Sequence, residues 1–174
     1  MKMSARNSAI AGFVAGLGYV VQAIIGLIKP QTEVFSGSSD YVLEAVFIVA
    51  LLSTVLALIG LHSLKGGLYG KAGAVGMWLA VIGTGLLAIS AAVTLFAGRN
   101  SLGPAFLGGT LLALVGYIVL GVSILRAKAL PLWGGLALML GFPLSLALSA
   151  FGGGIVFGLA WLVVGYLLLN NEMK

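Results

Sequence analysis

Apolar residues in this chain come in runs long enough to cross a lipid bilayer. The longest stretch without a charge runs from Ala129 to Asn171, 43 positions, with Gly152-Gly153-Gly154 near its middle. As one helix it would extend roughly 64 Å at 1.5 Å per residue, twice the ~30 Å hydrocarbon core of a membrane. It therefore has to fold back, and the triple glycine is the predicted turn. Similar runs upstream predict six spanning helices over residues 8–28, 42–63, 72–97, 104–125, 131–150 and 154–170. The expected fold class is all-α: a polytopic integral membrane protein, one six-transmembrane-helix bundle over residues 1–174.

The breaks between runs carry turn chemistry: Lys29-Pro30 with the polar Ser36–Asp40 stretch, Lys65-Gly66-Gly67, Gly98-Arg99-Asn100, and Arg126-Ala127-Lys128. Pro104 and Pro131 fall where a helix begins, a position that needs no N–H. Lys2 and Arg6 precede the first apolar run, which imitates a signal peptide. That run ends in Lys29-Pro30 without a small-residue cleavage pattern, so a retained first helix is expected.

An even number of spans puts both termini on one side. Lys2, Arg6, Lys65, Lys71, Arg126, Lys128 and Lys174 then share a face, against Lys29 and Arg99 opposite. The positive-inside rule makes the richer face cytoplasmic, an N-in/C-in topology. The acids Glu33, Asp40 and Glu44 fall on the outer side.

Composition agrees. The chain is 61% hydrophobic and 7% charged, where a soluble domain carries about 25% charged residues. The net charge of +5 comes from single cations between apolar runs. That is an orientation signal, not a nucleic-acid surface, and no nucleic-acid partner is expected. With no cysteine, disulfides, iron–sulfur clusters and thiolate zinc sites are excluded. No metal site and no cofactor is expected.

Lipid tails are as apolar as leucine, so membrane helices associate through close backbone approach at small residues. The third span carries Gly76, Ala80, Thr84, Ala88 and Ala92 four apart, and the fifth carries Ala137, Gly141, Ser145 and Ser149. Shorter stripes are Ser8, Gly12 and Gly16 in the first span and Gly154 and Gly158 in the sixth. Such stripes pack a bundle internally or face another subunit. An offset of 61 residues sets Lys65 on Arg126 and Gly73 on Gly134, which suggests repeated hairpins.

Chemistry-bearing residues are sparse. Asp40 and Glu44, four apart at the start of the second span, could gather a cation or relay a proton, or simply complement a helix N-terminus. Lys65 and Lys71 flank a short turn that could hold a lipid headgroup. His62, the sole histidine, could serve as one axial ligand to a haem or pigment, or bond the last carbonyls of its helix. Pro143 should kink the fifth span, because it cannot donate to the Met139 carbonyl. Trp133, Tyr69 and Tyr41 lie near span ends, as an interfacial aromatic belt requires; Trp78 and Trp161 lie deeper. No catalytic constellation is present, and no enzymatic activity is expected.

The stretch Ala105–Leu148, with its basic turn and Leu130-Pro131-Leu132-Trp133-Gly134-Gly135, resembles small multi-span membrane proteins common in bacteria, a group without an established activity. The resemblance implies a fold and no mechanism; the expected location is a bacterial cytoplasmic membrane. The leading expectation is a non-enzymatic membrane component: a helix-packing subunit or scaffold, or a holder of lipid or another hydrophobic ligand. Its partners would be membrane lipids, other membrane subunits or a second copy. The alternative is a small transporter or channel, oligomeric or not, using Gln22, Glu44, Thr84 and the Pro143 kink. Haem or pigment carriage through His62 ranks last.

Overall fold

The computed structural model describes residues 3–29, 34–65, 67–99 and 103–170. Six α-helices account for nearly all of them: α1 (Ala5–Ile28), α2 (Ser38–Lys65), α3 (Gly70–Ala97), α4 (Pro104–Ala127), α5 (Leu132–Ala147) and α6 (Gly153–Asn170). A single 3-10 turn, Ser149–Phe151, lies between α5 and α6. All but α5 are long and apolar enough to cross a membrane. Helix α5 has 16 residues, a length of about 24 Å, short of the ~30 Å core.

Local chemistry sets the ends. The Ser4 side chain accepts from Asn7 N and caps α1. Pro104 opens α4, where no donor is required. Gly98 and Gly152 end α3 and the 3-10 turn at φ 61° and 79°, a left-handed conformation that costs glycine little. The triple glycine is therefore divided. Gly152 alone makes the turn, while Gly153 and Gly154 already belong to α6. Lys128 closes α4 at φ 51° without being glycine, and its N–H reaches the carbonyls of Ile124 and Leu125.

Each helix packs antiparallel on the next, and α6 packs back on α1, so the six form a closed ring. The closest approaches occur at small residues. On α3, Gly76, Ala80 and Gly83 meet Leu120, Gly116 and Ala113 of α4. A Cβ on Gly16 of α1 would sit 2.7 Å from the Gly158 carbonyl of α6, and one on Gly12 would sit 3.1 Å from Gly165 Cα. Ser8 fills the space beside Gly60 of α2, and Ala50 the space beside Gly18. Gly121 of α4 backs onto Met139 of α5, and Gly141 of α5 onto Ala160 of α6.

The bundle is apolar outside and partly polar within. Leu17, Leu52, Ile82, Ile89, Leu111 and Leu159 project outward, each more than half exposed, while Ser8, Thr54, Thr84, Ser90 and Thr94 are buried. A protein in water cannot leave so much apolar surface unpaired, whereas lipid accepts it.

The helix starts Ala5 and Gly70 and the ends of α2, α4 and α6 share one end of the ring, here the N-terminal end. Among the described residues it carries Arg6, Lys65, Lys71, Arg126 and Lys128, and the opposite end carries Lys29 and Arg99. Lys2, Lys174 and Glu33 lie outside the described residues. At the opposite end Phe35 N donates to the Gly98 carbonyl at 2.9 Å, tying the α1–α2 loop to the end of α3.

Candidate functional site

A chamber of about 130 Å3 lies among the six helices, and every helix contributes to its wall. Tyr19 and Gln22 come from α1, Phe47 and Leu51 from α2, and Leu87 from α3. Helix α4 adds Phe106 and Thr110, α5 adds Phe142, Ser145 and Leu146, and α6 adds Gly154 and Phe157. Four of these, Gln22, Phe47, Ser145 and Gly154, also line a wider mouth of about 510 Å3. The mouth is edged by Gly26, Leu27, Ser149 and Gly152, so the chamber opens at the end opposite the N-terminus.

The aromatic residues hold this shape. Phe157 packs on Tyr19, Tyr117 and Phe142 at ring-centroid separations of 4.8, 5.4 and 5.2 Å. Tyr19 also meets Phe47 edge-on at 6.1 Å. Edge-to-face and tilted pairs at these distances are attractive beyond their buried area.

Two hydroxyl pairs stitch neighbouring helices together in mid-bundle. Thr54 Oγ1 donates to the Ala50 carbonyl at 2.9 Å. Its only proton is thereby used, so Tyr19 donates to Thr54 across 3.2 Å. On the other side of the ring Thr84 Oγ1 and Tyr117 Oη are 3.3 Å apart. A phenol surrounded by hydrocarbon requires such a partner. Trp161 Nε1 is the exception: it is buried without a hydrogen-bond partner. Its ring stands edge-on to Tyr117 at 6.3 Å.

Toward the N-terminal end the interior is filled. Leu58, Leu61, Leu120, Ile124, Leu138 and Leu168 are all fully buried. The chamber thus opens at one end and is closed at the other.

The sequence-derived candidates distribute around this chamber. Gln22 and Ser145 line it. Thr84, expected on a packing stripe, meets Tyr117 of α4 through its hydroxyl, and its neighbour Gly83 meets the α4 backbone. Gly76 and Ala80 face α4, and Gly141 faces α6. Ala88 is buried and Ala92 half-buried. Ala137 joins Gly141 in an outward-facing groove between α5 and α6. Ser149 stands beyond the end of α5, in the 3-10 turn at the chamber mouth. Pro143 sits inside α5 between the lining residues Phe142 and Ser145, and α5 continues helical to Ala147.

Asp40 and Glu44 are both buried, at 1% and 7% exposure, but neither lines the chamber. The Asp40 carboxylate is held locally by Ser36 N at 2.8 Å and by the Ser36 hydroxyl at 3.3 Å. His62 Nδ1 lies 2.7 Å from the Tyr69 hydroxyl, so one ring nitrogen is committed. Among the described residues no three His, Asp or Glu side chains gather as a metal site. Tyr69, at the N-terminal end of α3, is buried within the bundle, and burial pushes its phenol well above the ordinary value. Trp133 and Tyr41 are exposed, as a belt requires; Trp78 is exposed too, and of the two deeper tryptophans only Trp161 is in the core.

Lys71 is exposed at the start of α3. Lys65 instead lines a separate cavity at the N-terminal end together with Lys128.

Tyr117, Thr54 and Phe157 were not singled out in the sequence. A tyrosine in mid-span is the one available signal, because its hydroxyl demands a partner within the bundle. Comparison with family models, curated proteins and solved structures yields no match to this chain.

Proposed function

We propose that this chain is an integral protein of a bacterial cytoplasmic membrane, crossing it six times with both termini in the cytoplasm. It acts without catalysis, by holding a hydrophobic ligand in the central chamber. The supporting observation is the chamber itself: a mostly apolar space walled by all six helices and entered from one end. Apolar cavities of about 150 Å3 stay dry and take up small apolar molecules. Among the described residues the mouth contains Gln22, Ser145 and Ser149 and no charged side chain. The fitting ligand is thus a neutral amphiphile, with its apolar end in the chamber and an uncharged hydrogen-bonding group at the mouth. The five-to-two distribution of described cations supports the orientation.

The test is native mass spectrometry of gently extracted protein, comparing the parent with Thr110→Phe. Thr110 bonds only the carbonyl of Phe106 one turn back, and a phenyl group there fills the chamber. The expected result is a neutral lipid-like adduct on the parent that the variant loses. An adduct retained by a folded Thr110→Phe variant would place the ligand elsewhere.

A transporter is the second reading, favoured by the same one-ended opening. It requires the packed Leu58–Leu120–Leu168 region to open in turn, and it predicts flux across reconstituted vesicles.

A further inference from the structure

A second cavity, of about 660 Å3, lies at the N-terminal end of the ring. It is formed where the α2–α3 turn faces the α4–α5 turn. Lys65 and Leu68 contribute from one side, and Leu125, Lys128 and the Ala129–Leu132 segment from the other. These turns are far apart in sequence, and the ring brings their two lysines to one hollow. Small-molecule sites span ≈ 300–1,000 Å3, so the volume suits a bound group.

We propose that this hollow binds the phosphate headgroup of an anionic phospholipid from the cytoplasmic leaflet. The charge argument is one-sided. Every charged side chain described at this end is a cation: Arg6, Lys65, Lys71, Arg126 and Lys128. The described acids, Asp40 and Glu44, belong to the first turns of α2 at the other end. Lysine presents a compact charge with three donors, which suits phosphate oxygens approached from different sides. The remaining wall is apolar. Leu68 and Leu132 are 58% and 62% exposed beside the lysines. Exposed leucine next to the exposed Lys128 and the half-buried Lys65 fits a headgroup above and acyl chains alongside. A free phosphate would use the lysines and leave the leucines without a role.

The site is independent of the chamber, which opens at the opposite end and has no charged side chain among its described lining residues. It rests on the proposed reading of the chain as a membrane protein with this end in the cytoplasm. A failed chamber test would leave it standing, and the reverse holds as well.

The experiment titrates detergent-solubilised protein with phosphatidylglycerol, with phosphatidylcholine and with inorganic phosphate. Native mass spectrometry counts bound lipid, and melting temperature reads stabilisation. Phosphatidylglycerol should bind saturably at one per chain and raise the melting temperature; the other two should not. Near an anionic lipid surface each lysine contributes about fivefold in affinity. Lys65→Gln and Lys128→Gln should each weaken binding by about that factor, and the double variant by ~25-fold. Lys71→Gln, at the same end but outside the hollow, should stay within twofold of the parent. The single variants keep the test decisive if the double variant does not fold. Equal binding of the two lipids would overturn the proposal. So would protection by inorganic phosphate alone, or a Lys71→Gln loss as large as that of Lys65→Gln or Lys128→Gln.

Discussion

Tyr19 donates its phenol proton to Thr54 Oγ1 at 3.2 Å, and Thr54 passes its own proton to the carbonyl of Ala50. The chain of donors runs one way, from α1 into the backbone of α2, beside the chamber wall. The two partners are therefore unequal.

Replacing Tyr19 by Phe removes the donor and leaves Thr54 bonded to Ala50, so the cost should be about 0.5–1.5 kcal/mol. Replacing Thr54 by Val keeps the shape but strands a buried phenol, which costs ~1–3 kcal/mol. Thermal melts in detergent should rank Thr54→Val below Tyr19→Phe. The reverse order would mean that Tyr19 has another partner.

Glycines on the helix crossings and glycines facing lipid should part company. A Cβ on Gly83 would strike the Ala113 backbone, and one on Gly116 the Ala80 backbone, whereas Gly85 and Gly108 have nothing within 4 Å. Gly83→Ala and Gly116→Ala should lose ~1–3 kcal/mol through overpacking. Gly85→Ala and Gly108→Ala should be neutral or gain roughly 0.5–1 kcal/mol by stiffening the helix. Uniform responses across the four variants, in the same melts, would contradict the packing.

The cation distribution predicts a cytoplasmic C-terminus. A C-terminal fusion to a reporter active only in the cytoplasm should give signal, and a periplasm-dependent reporter should be silent. The opposite pair of results would remove the six-crossing orientation.

Glu44 separates holder from transporter. It is buried yet absent from the chamber wall. In liposomes loaded with a pH-sensitive dye, Glu44→Gln should match the parent, with no proton flux from either. A proton flux in the parent that vanishes in Glu44→Gln would favour transport.

The helices were legible because a charge-free run has few ways to satisfy its backbone in lipid. Their internal arrangement was less so. Steps of four residues select one face, but the real α3–α4 seam mixes steps of three and four: Gly76, Ala80, Gly83 against Gly109, Ala113, Gly116. Thr84, on the four-residue stripe, meets α4 through a hydroxyl pair with Tyr117 rather than through close backbone approach. The α4 side of the seam carries no regular four-residue glycine pattern, and it went unseen. The chamber was illegible for a different reason. Its wall takes residues from six helices spread over residues 19 to 157, and no local pattern records which of them converge. The α5 boundary shifted because the chain uses a 3-10 turn before Gly152, so fewer glycines were needed for the reversal.

The seam between α1 and α6, where Gly12 lies against Gly165 and Gly16 against Gly158, has a consequence for biosynthesis. Helix α1 leaves the ribosome well before α6, its glycine-lined partner, has been made. Until then the ring lacks the member that joins α5 to α1. The chamber does not exist in that intermediate, because Gly154 and Phe157 have yet to arrive. The ring and its central chamber are thus completed together, when α6 docks on α1 and α5.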